Sequence, residues 1–599
     1  MSTFRSAAEC AVALEARDVT ARPWIVTDTR EVSFQALGER IGRVTALLRH
    51  RGLGVGDRVV IATGDDCEAA MLFVAMVCNG VTVVQLDPLT GAERAQALAR
   101  KADPALIIVD AALKARWDFD ALDRPLIEIA KPVAKTGLFG GLKRAKPSHG
   151  LDAALDELAP EAPPKHIPPE TLAYILFTSG TTKDPKGVCV SHRALFSHLG
   201  TLSRTFGYTP ESRILNTLML SHADGMIQGP MIAFFNAASL YRPVKFEITT
   251  LERLLDSVFQ LRITHMIAVP TMLSLLARLS DHQEEAFAGG DFQLLVSCGA
   301  ALEPALWQEF EHKFGVKIIN VYGLTETVVG GVFAGPGVTA GELGSIGRPI
   351  DCELKILDDG AGQGELLMRG DLLMSGYFAD EAQTAEVLRD GWLHTGDIAR
   401  RDGEGRYWIC GRKKNIVIRG GLNIHPEEIA EALNRHAEVS EAVAFGAPDP
   451  DWGEKLFALV ASSSADEAKL LQYCAEVLEP RKIPSRIMVV ESLPKGRSGK
   501  VVLDEARALF DRPDVQAKPS TAGAGDAEGR LLDVAARVFK IERARIRLTS
   551  TPKDVLGWDS LAHLDFVTAL EEEFDIRLAP RQIMALTRIG KALDFVARA

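Results

Sequence analysis

Short apolar runs that end in glycine, serine or threonine recur along residues 55–425 and alternate with stretches of helical periodicity. The clearest runs are Arg58–Ala62 before Thr63-Gly64, Tyr174–Phe177 before Thr178-Ser179-Gly180, Leu294–Val296 before Ser297-Cys298-Gly299, and Val316–Ile319 before Tyr322-Gly323. Buried strands bounded by such loops and separated by helices are typical of α/β layers, which bind ligands at their strand ends. The pattern therefore predicts an α/β fold with binding loops at the ends of its strands.

A chain of 599 residues is too long for one compact domain. We predict a large α/β domain over residues 1–411 and a smaller domain of strands and helices over residues 412–510. Residues 511–527 lack apolar periodicity and contain proline and glycine, which predicts a flexible linker. Residues 528–599 carry two apolar helix faces and predict a small all-helical bundle.

Composition excludes several classes of function. A net charge of −12 disfavours nonspecific nucleic-acid binding. Eight scattered cysteines without a Cys-x-x-Cys pair argue against a zinc site or a disulfide framework. The N-terminus has no secretory pattern and no apolar run reaches the length of a membrane span, so we expect a cytoplasmic protein. The Gly- and Lys-rich stretch Lys131–His149 is expected to be a mobile surface loop, with a docking patch as the alternative.

The strongest chemical signal upstream is a hydroxyl- and glycine-rich loop that ends in a lysine. It consists of Thr178, Ser179, Gly180, Thr181, Thr182, Lys183, Asp184, Pro185, Lys186 and Gly187. Hydroxyls and exposed backbone amides can surround phosphate oxygens, and Lys186 adds a compact positive charge. The Walker A pattern is absent, and such a loop by itself is equally typical of an ordinary turn.

Four further motifs follow this loop in order. They are Asn320–Thr327, Gly391–Asp397, Gly411–Asn415 and Leu493–Lys500. In this order the motifs resemble the adenylate-forming superfamily, which includes acyl-CoA synthetases, peptide-synthetase adenylation domains and luciferases. The resemblance spans residues 10–510 and implies a large multi-layer N-terminal domain followed by a small mobile α+β domain.

The resemblance implies a two-step reaction. A carboxylate first attacks the α-phosphate of ATP to give acyl-AMP and pyrophosphate, and a thiol then displaces AMP. The first step brings several anions together, so a divalent cation and fixed positive charges are needed to offset their repulsion.

The resemblance also assigns the groups that would contact phosphate and metal. The loop residues Thr178, Ser179, Gly180, Thr181, Thr182 and Lys186 would hold the β- and γ-phosphates. Glu326 would ligate Mg²⁺, and Thr325 would bind the α-phosphate. Lys500 would bridge the carboxylate and the α-phosphate during adenylation.

The nucleoside would lie against a second set of residues. Tyr322 would pack on the adenine ring, whose edge would face the adenine-binding residues Gly299, Ala300, Asn320 and Gly323. Asp397 would accept hydrogen bonds from the ribose hydroxyls, with Arg412 nearby.

Lys500 belongs to the small domain whereas the phosphate loop belongs to the large one, so the site is complete only when the two domains close. The resemblance places the hinge at Asn415, a residue type that tolerates unusual backbone angles. It places Gly420 and Gly421 along the tunnel through which the thiol would enter.

Residues 528–599 resemble acyl and peptidyl carrier proteins, which are four-helix bundles. Ser560, in Trp558-Asp559-Ser560-Leu561, matches the serine that receives 4′-phosphopantetheine from a phosphopantetheinyl transferase. A serine at a helix start places the phosphate of the arm near helix-end amides. An ordinary helix N-cap is the alternative interpretation of this serine.

The identity of the acid is left open. His222 and Asp224 lie in the stretch where the family often lines its acyl pocket, and Asp224 would pair with an amino group on the substrate. The alternative is a hydrogen-bonded loop carboxylate. Met226, Met231 and Val328 would line an apolar slot or belong to the core.

Together these features predict an enzyme that activates a carboxylic acid with ATP and Mg²⁺ and transfers it to its own carrier domain. The enzymatic alternative is an acyl-CoA ligase with an accessory carrier. The alternative of another class is a catalytically silent scaffold, against which Lys186, Glu326, Asp397 and Lys500 argue. An unidentified downstream enzyme would unload the arm.

Overall fold

The computed structural model of the chain describes residues 9, 21–130, 150–177, 185–280, 283–338, 342–358, 362–415, 417–419, 422–449, 453–462, 464–478, 482–495, 501–510, 527–539, 541, 543–552, 554–555, 558, 560–574 and 576–596. None of the helices in these ranges is both long and apolar enough to cross a lipid bilayer.

Most of the strands lie before residue 412. In chain order they are β1 Pro23–Thr27, β2 Glu31–Ser33, β3 Arg58–Ala62, β4 Thr82–Gln85, β5 Leu106–Asp110, β6 Leu126–Ile129, β7 Leu172–Phe177, β8 Gly187–Ser191, β9 Arg213–Asn216, β10 Ser239–Arg242, β11 His265–Ala268, β12 Leu294–Ser297, β13 Ile318–Tyr322, β14 Val332–Ala334, β15 Arg348–Pro349, β16 Glu353–Asp358, β17 Gln363–Arg369, β18 Gly376–Tyr377, β19 Leu388–Arg389, β20 Trp392–Arg401 and β21 Tyr407–Arg412. The remaining strands are β22 Val417–Arg419, β23 Leu422–Ile424, β24 Glu441–Asp449, β25 Gly453–Ala461 and β26 Arg486–Val490.

The α-helices of the same ranges are α1 Phe34–His50, α2 Asp66–Cys78, α3 Ala92–Ala102, α4 Ala111–Trp117, α5 Leu151–Asp156, α6 His192–Phe206, α7 Ala223–Met226, α8 Ile232–Asn236, α9 Leu251–Gln260, α10 Pro270–Leu279, α11 Pro304–Phe314, α12 Glu381–Val387, α13 Pro426–Asn434, α14 Glu467–Val477, α15 Leu503–Phe510, α16 Ala527–Phe539, α17 Ser560–Phe574, α18 Pro580–Met584 and α19 Lys591–Val596. A π-helical turn, Ile227–Met231, joins α7 to α8. Short 3₁₀ turns are Phe119–Leu122, Ile248–Thr250, Glu284–Phe287, Thr325–Thr327, Lys413–Asn415 and Arg543–Arg545.

Two large, mostly parallel sheets form the body of the large domain. In the described chain one has the strand order β18-β8-β7-β4-β3-β5-β6, and the other has the order β15-β14-β13-β12-β11-β9-β10-β1-β2. One hydrophobic cluster contains residues of both sheets and of α1, α2 and α6. Helix α2 is apolar on nearly all sides and almost wholly buried, as expected for a helix in the middle of a layered core.

The sequence-predicted strands are confirmed with small shifts at their ends. Arg58–Ala62 is β3, and the runs that begin at Tyr174 and Leu294 lie within β7 and β12. The run predicted over residues 316–319 begins two residues later, as β13. The predicted α/β fold is therefore correct, and the loops that are predicted to bind ligands follow these strands.

A third sheet, β16-β17-β20-β19 with β21 paired to β20, completes the part of the chain before residue 412. Beyond it, β22 to β26 form a separate sheet of order β23-β22-β25-β24 with β26 paired to β25. This sheet packs against α13 and α14 around its own hydrophobic cluster. The domain boundaries at 411 and 510 stay predictions.

The segment from Ala527 to Val596 is helical, with α16 packed on α17 and α19. Phe539, Trp558 and Phe566 form an aromatic contact at its centre, with ring centroids 4.6–5.7 Å apart. Four α-helices in this segment match the predicted carrier bundle. The predicted linker falls outside the described residues up to position 526, and the predicted loop Lys131–His149 lies outside them entirely.

Three buried histidines of the large domain make its stability depend on pH. Burial lowers the pKa of His192 to about 4, that of His198 to about 3 and that of His265 to about 4. Because an unfolded histidine titrates near 6.5, the unfolded chain binds more protons below that pH, and stability is lost as the pH falls. We expect a loss of about 2 kcal/mol per histidine between pH 7 and pH 5, measured as the free energy of unfolding in denaturant.

His192→Phe provides the control, because its ring stacks on Phe196 at 6.0 Å and an aromatic replacement keeps that contact. This variant is expected to lose less stability than the wild type over the same pH range. Equal losses of stability in the wild type and in His192→Phe would show that titration of His192 does not contribute to the pH dependence.

Candidate active site

The loops after β12 and β13 bring the predicted nucleotide residues together. Gly299 and Ala300 follow β12, and Asn320 and Tyr322 lie at the end of the adjacent parallel strand β13. Parallel strands that are neighbours in a sheet end at the same edge, which is where α/β proteins bind ligands. Asn320 is buried, and its side-chain amide points at the carbonyl of Ser345 at 3.5 Å.

Asp397 is held between an aromatic hydroxyl and a guanidinium. Tyr322 donates a hydrogen bond from Oη to Asp397 Oδ2 at 2.6 Å, and Arg412 Nε lies 2.8 Å from Asp397 Oδ1. Asp397 and Arg412 face each other across β20 and β21. Burial, and then the nearby Asp397 carboxylate, raise the pKa of Tyr322 well above its ordinary value, so it stays a donor. A carboxylate has about four acceptor positions, so these two contacts orient Asp397 without using its whole capacity.

Glu326 and Lys186 both contact Tyr377. Tyr377 donates a hydrogen bond from Oη to Glu326 Oε1 at 2.8 Å, and Lys186 Nζ lies 4.8 Å from the centre of the Tyr377 ring. The pairing of β18 with β8 aligns Tyr377 with Val188 and so places the ring beside Lys186. Burial, followed by the Glu326 charge, raises the pKa of Tyr377. A cation and a carboxylate that contact the same side chain provide the charges expected around phosphates and a metal ion.

The residues present fit a magnesium ion that is shared with a nucleotide. Within the described ranges no three His, Cys, Asp or Glu side chains lie close enough to hold a metal by themselves. Mg²⁺ in nucleotide sites is usually bound by one or two carboxylates together with phosphate oxygens and water. Glu326, oriented by Tyr377, supplies one such carboxylate.

The loop that carries Thr325 and Glu326 is held tightly against β13. Its 3₁₀ turn is closed by Thr327, whose hydroxyl lies 2.9 Å from both the amide and the carbonyl of Leu324. Val328 then has φ +64° and ψ −73°, and the Val329 amide donates to the Thr327 carbonyl at 2.8 Å. This is a γ-turn, which is strained for a β-branched residue and is the kind of strain that occurs at functional sites.

Gly323 lies where the Thr325–Glu326 loop leaves β13, and only a glycine fits at this position. A Cβ at this position would lie 2.1 Å from the Cα of Gly330, so no other residue allows this close approach of the two backbone segments. The tight packing fixes the start of the Thr325–Glu326 loop relative to Tyr322.

The predicted hinge residue is anchored to the small domain by a glutamate. Asn415 donates from Nδ2 to Glu427 Oε1 at 3.1 Å, and the backbone amide of Arg412 donates to the same oxygen at 3.3 Å. The adjacent Lys413 Nζ lies 3.0 Å from Glu365 Oε2. Arg412 and Asn415 are therefore both hydrogen-bonded to Glu427, and Arg412 also contacts Asp397. Glu427 lies in α13, the first helix of the small domain.

The predicted acyl-pocket residues lie beside the Gly299 loop. Asp224 Oδ1 accepts a hydrogen bond from Gln228 Nε2 at 2.9 Å, and Asp224 Oδ2 lies 3.3 Å from where a Cβ of Gly299 would stand. Gln228 and Ser297 are almost fully buried, and their Oε1 and Oγ atoms have no hydrogen-bond partner among the described residues. His222 is exposed at the start of α7. Asp224 therefore has a polar neighbour in Gln228.

The residues considered for an apolar slot are part of the core instead. Met226, Met231 and Val328 are at most 2 % exposed and belong to the main hydrophobic cluster of the large domain.

Ser560 is the first residue of α17, as the sequence predicts for an arm-bearing serine. Several predicted site residues lie outside the described part of the chain: Thr178, Ser179, Gly180, Thr181, Thr182, Gly420, Gly421 and Lys500.

Sequence reasoning did not identify Tyr377, Gln228 or Glu427. Tyr377 follows a glycine in a two-residue strand, and its hydrogen-bond partner is 51 positions away, so no local pattern indicates it. Gln228 lies one helical turn after Asp224, a spacing that places two side chains on one helix face. The four-residue spacing of Asp224 and Gln228 could therefore have predicted their contact from the sequence.

Tyr377→Phe is expected to raise the Mg²⁺ concentration needed for half-maximal activity by about 10- to 100-fold, because removing a hydrogen bond that orients a metal ligand weakens metal affinity by this order. The measurement is ATP–pyrophosphate exchange titrated with Mg²⁺. Tyr407→Phe is the matched control, since its hydroxyl makes only a 3.5 Å contact with the Leu354 carbonyl. An unchanged Mg²⁺ requirement in Tyr377→Phe would contradict this role.

Comparison with known families agrees with this arrangement. Residues 12–378 match the model of AMP-binding enzymes, residues 428–500 match that of the AMP-binding enzyme C-terminal domain, and residues 529–596 match that of the phosphopantetheine attachment site. AMP-binding enzymes use ATP with Mg²⁺, and phosphopantetheine attachment sites carry 4′-phosphopantetheine. The first match alone spans more than half of the chain.

Individual relatives are similar over most of their length. The chain is 32 % identical to sulfoacetate–CoA ligase of Cupriavidus necator over 508 residues, which are 82 % of this chain and 95 % of that enzyme. It is 30 % identical to indoleacetate–CoA ligase of Aromatoleum aromaticum over 81 % of this chain and 94 % of that enzyme. ATP-bound MatB from Rhodopseudomonas palustris superposes with a TM-score of 0.75 at 26 % identity, covering 84 % of this chain and 99 % of that one. This chain therefore belongs to the AMP-binding enzyme family, as an AMP-forming ligase of carboxylic acids that carries a phosphopantetheine carrier domain after its ligase domains.

Proposed function

We propose that the chain is a self-loading ligase, which activates a carboxylic acid as acyl-AMP and transfers the acyl group to the phosphopantetheine thiol on its own Ser560. In the first step a carboxylate oxygen bonds to the α-phosphorus of ATP and pyrophosphate leaves. In the second step the sulfur of the arm bonds to the acyl carbon, AMP leaves and the thiol proton is released. One thioester is formed for each ATP cleaved.

The chain's own residues serve the first step. Lys186 and Glu326 both contact Tyr377. A cation and a carboxylate held at one side chain suit a phosphate chain bound with Mg²⁺, which when bound would offset the charge of the phosphates. Asp397, which contacts Tyr322 and Arg412, would hold the ribose. Lys500 would complete the site from the small domain.

The observation that carries the proposal is the presence of both ligase domains and the carrier domain on one chain. A carrier joined to its ligase by a short linker has an effective concentration in the millimolar range. At such a concentration the arm competes well with free thiols. A phosphopantetheinyl transferase must prime Ser560, and a further enzyme must unload it.

The pocket beside Gly299 supports a compact acid that bears a hydrogen-bond donor, such as an amino group. Its predicted residues include the Asp224 carboxylate, which accepts a hydrogen bond from Gln228. An amino group on the acid would pair with this carboxylate, whereas a hydrocarbon chain would remove it from water, which is unfavourable. The relatives named for sulfoacetate and indoleacetate also indicate short acids. In this proposal Asp224 and His222 contact the substrate.

The test is a panel of fatty, aryl, amino and hydroxy acids in ATP–pyrophosphate exchange, followed by intact-mass measurement of the primed protein with each active acid. We expect exchange with a compact, donor-bearing acid and a matching mass increase on the peptide that contains Ser560. Exchange only with long-chain acids would contradict the substrate class. Exchange without protein-bound acyl mass would contradict self-loading.

A CoA ligase with an accessory carrier is the second candidate, because the relatives are named CoA ligases. It predicts that unprimed protein converts acid, ATP and CoA to acyl-CoA as fast as primed protein loads itself. The same mass measurement with equimolar CoA present separates the two candidates. We expect the arm to be loaded in preference to free CoA.

A further inference from the structure

The carrier domain rests on one face of the large domain through its short helix. Helix α18 (Pro580–Met584) packs against the 3₁₀ turn Ile248–Thr250 and against α10. Side chains of the carrier core and of this face, including Ile583, Ile248 and Leu273, belong to one continuous hydrophobic cluster. We call the large-domain surface formed by residues 248–250 and α10 the seat.

The contact is apolar. Charged side chains of the carrier form their resolved ion pairs within the carrier itself, as in Arg530–Glu573 and Arg577–Glu571. Met584 on the carrier and Leu275 on α10 are half-buried hydrophobic side chains packed against the shared cluster. An apolar contact between domains is driven by burial of surface from water and depends little on salt.

The same short helix is rigidly connected to the start of the arm-bearing helix. Trp558 donates from Nε1 to His563 Nδ1 at 3.1 Å, and His563 Nε2 lies 3.0 Å from the Ile583 carbonyl, to which it donates. Both contacts are buried, and burial lowers the pKa of His563, which keeps the ring neutral. His563 lies three residues after Ser560, so the position of α18 fixes the position of the helix start.

The seat also extends to the edge of the candidate active site. Helix α10 begins immediately after Val269, whose Cγ1 lies 3.3 Å from where a Cβ of Gly299 would stand. A helix of 10 residues is about 15 Å long. Helix α10 is therefore part of the seat, and its first residues also border the predicted nucleotide loop at Gly299.

We propose that the seat is the resting dock of the chain's own carrier domain, and that α18 is the element of the carrier that binds it. The dock keeps the arm-bearing helix against the large domain between turnovers, while the predicted linker lets it leave for thiol transfer. This inference rests on the proposed function only in that Ser560 must accept a phosphopantetheine arm.

The test attaches a fluorescent phosphopantetheine arm to Ser560 of the full-length protein, using a phosphopantetheinyl transferase and a fluorophore-bearing CoA. Time-resolved anisotropy is then measured without ATP or acid. A docked carrier tumbles with the whole 599-residue chain, whereas a carrier released on a flexible linker tumbles almost alone. In the wild type we expect a slow phase that does not change with protein concentration.

Met584→Asp introduces a charge into the apolar contact and is expected to shorten the slow correlation time by about five-fold. Ala585→Asp is the matched control, since the next residue is exposed and the added charge is the same. Leu275→Asp tests the seat without altering the carrier. It is expected to shorten the slow phase as Met584→Asp does, whereas Ala585→Asp leaves it unchanged.

The outcomes distinguish failure of the proposed function from failure of the proposed dock. Failure of the transferase to label wild-type Ser560 would overturn the proposed function, whereas labelling with only fast tumbling would overturn the dock. A slow phase that is lost on dilution would show that the seat belongs to a second copy of the chain, which also overturns a dock in cis. Labelling of Met584→Asp at the wild-type rate verifies that its carrier is folded.

Discussion

Ser560→Ala is expected to abolish acyl loading of the protein while ATP–pyrophosphate exchange continues at the wild-type rate. The hydroxyl of Ser560 is the predicted attachment point of the arm, and alanine offers no oxygen for the phosphodiester. The predicted adenylation residues belong to the strand-end loops of the large domain, whereas Ser560 begins α17 of the carrier domain. Loading is measured by intact mass after incubation with transferase, CoA, ATP and an active acid.

Thr587→Ala is the matched control, because it removes a hydroxyl from an exposed position of the same domain. It should be primed and loaded like the wild type. Acyl mass on Ser560→Ala would show that another group accepts the acyl chain. Loss of exchange in Ser560→Ala would show that the carrier is needed for adenylation, which would contradict the separation of the two half-reactions.

Lys500→Ala is expected to slow adenylation by about 10²- to 10³-fold, the usual cost of removing one group that stabilises the charge of a transition state. A lysine between the attacking carboxylate and the α-phosphate offsets repulsion that is greatest when the two anions approach. Thioester formation from chemically prepared acyl-AMP should change far less, because that step does not bring two anions together.

Lys469→Ala is the control for this substitution. Lys469 also belongs to the small domain, but its side chain is 62 % exposed and pairs only weakly with Asp466, at 3.6 Å. Exchange by this variant should match the wild type. Undiminished exchange by Lys500→Ala would favour the scaffold alternative, whereas equal loss in both half-reactions would indicate a general defect of the small domain.

Together the two substitutions divide the reaction. Ser560→Ala removes the acceptor and leaves activation, whereas Lys500→Ala removes activation and leaves transfer from a supplied adenylate. A double variant should therefore show both defects without further loss, because the residues act in different steps.

The local features of this protein could be predicted from its sequence with little error. Strands such as β3 and helices such as α13 begin and end where apolar periodicity and glycine or proline indicate. Ser560 starts its helix as predicted. Each of these depends on residues a few positions apart, so the information needed to place them is contiguous in the chain.

The contacts inside the site were only partly predictable. Asp397 and Arg412 were expected to be near each other through family resemblance, and they are cross-strand partners. The hydrogen bond from Tyr322 to Asp397 joins residues 75 positions apart, and that from Tyr377 to Glu326 joins residues 51 positions apart. No periodicity links such pairs, because they belong to different strands or sheets.

By itself the sequence determined the α/β layers and the order of the ligase and carrier domains, and it predicted the nucleotide motifs and Ser560 as the attachment point. Only the tertiary structure decided that Tyr377 contacts both Lys186 and Glu326, that Gln228 donates a hydrogen bond to Asp224, and that α18 rests on α10. The physical reason is that strand order and domain packing minimise exposed apolar surface over the whole chain. A side chain's partners across those interfaces follow from that global arrangement rather than from its neighbours in sequence.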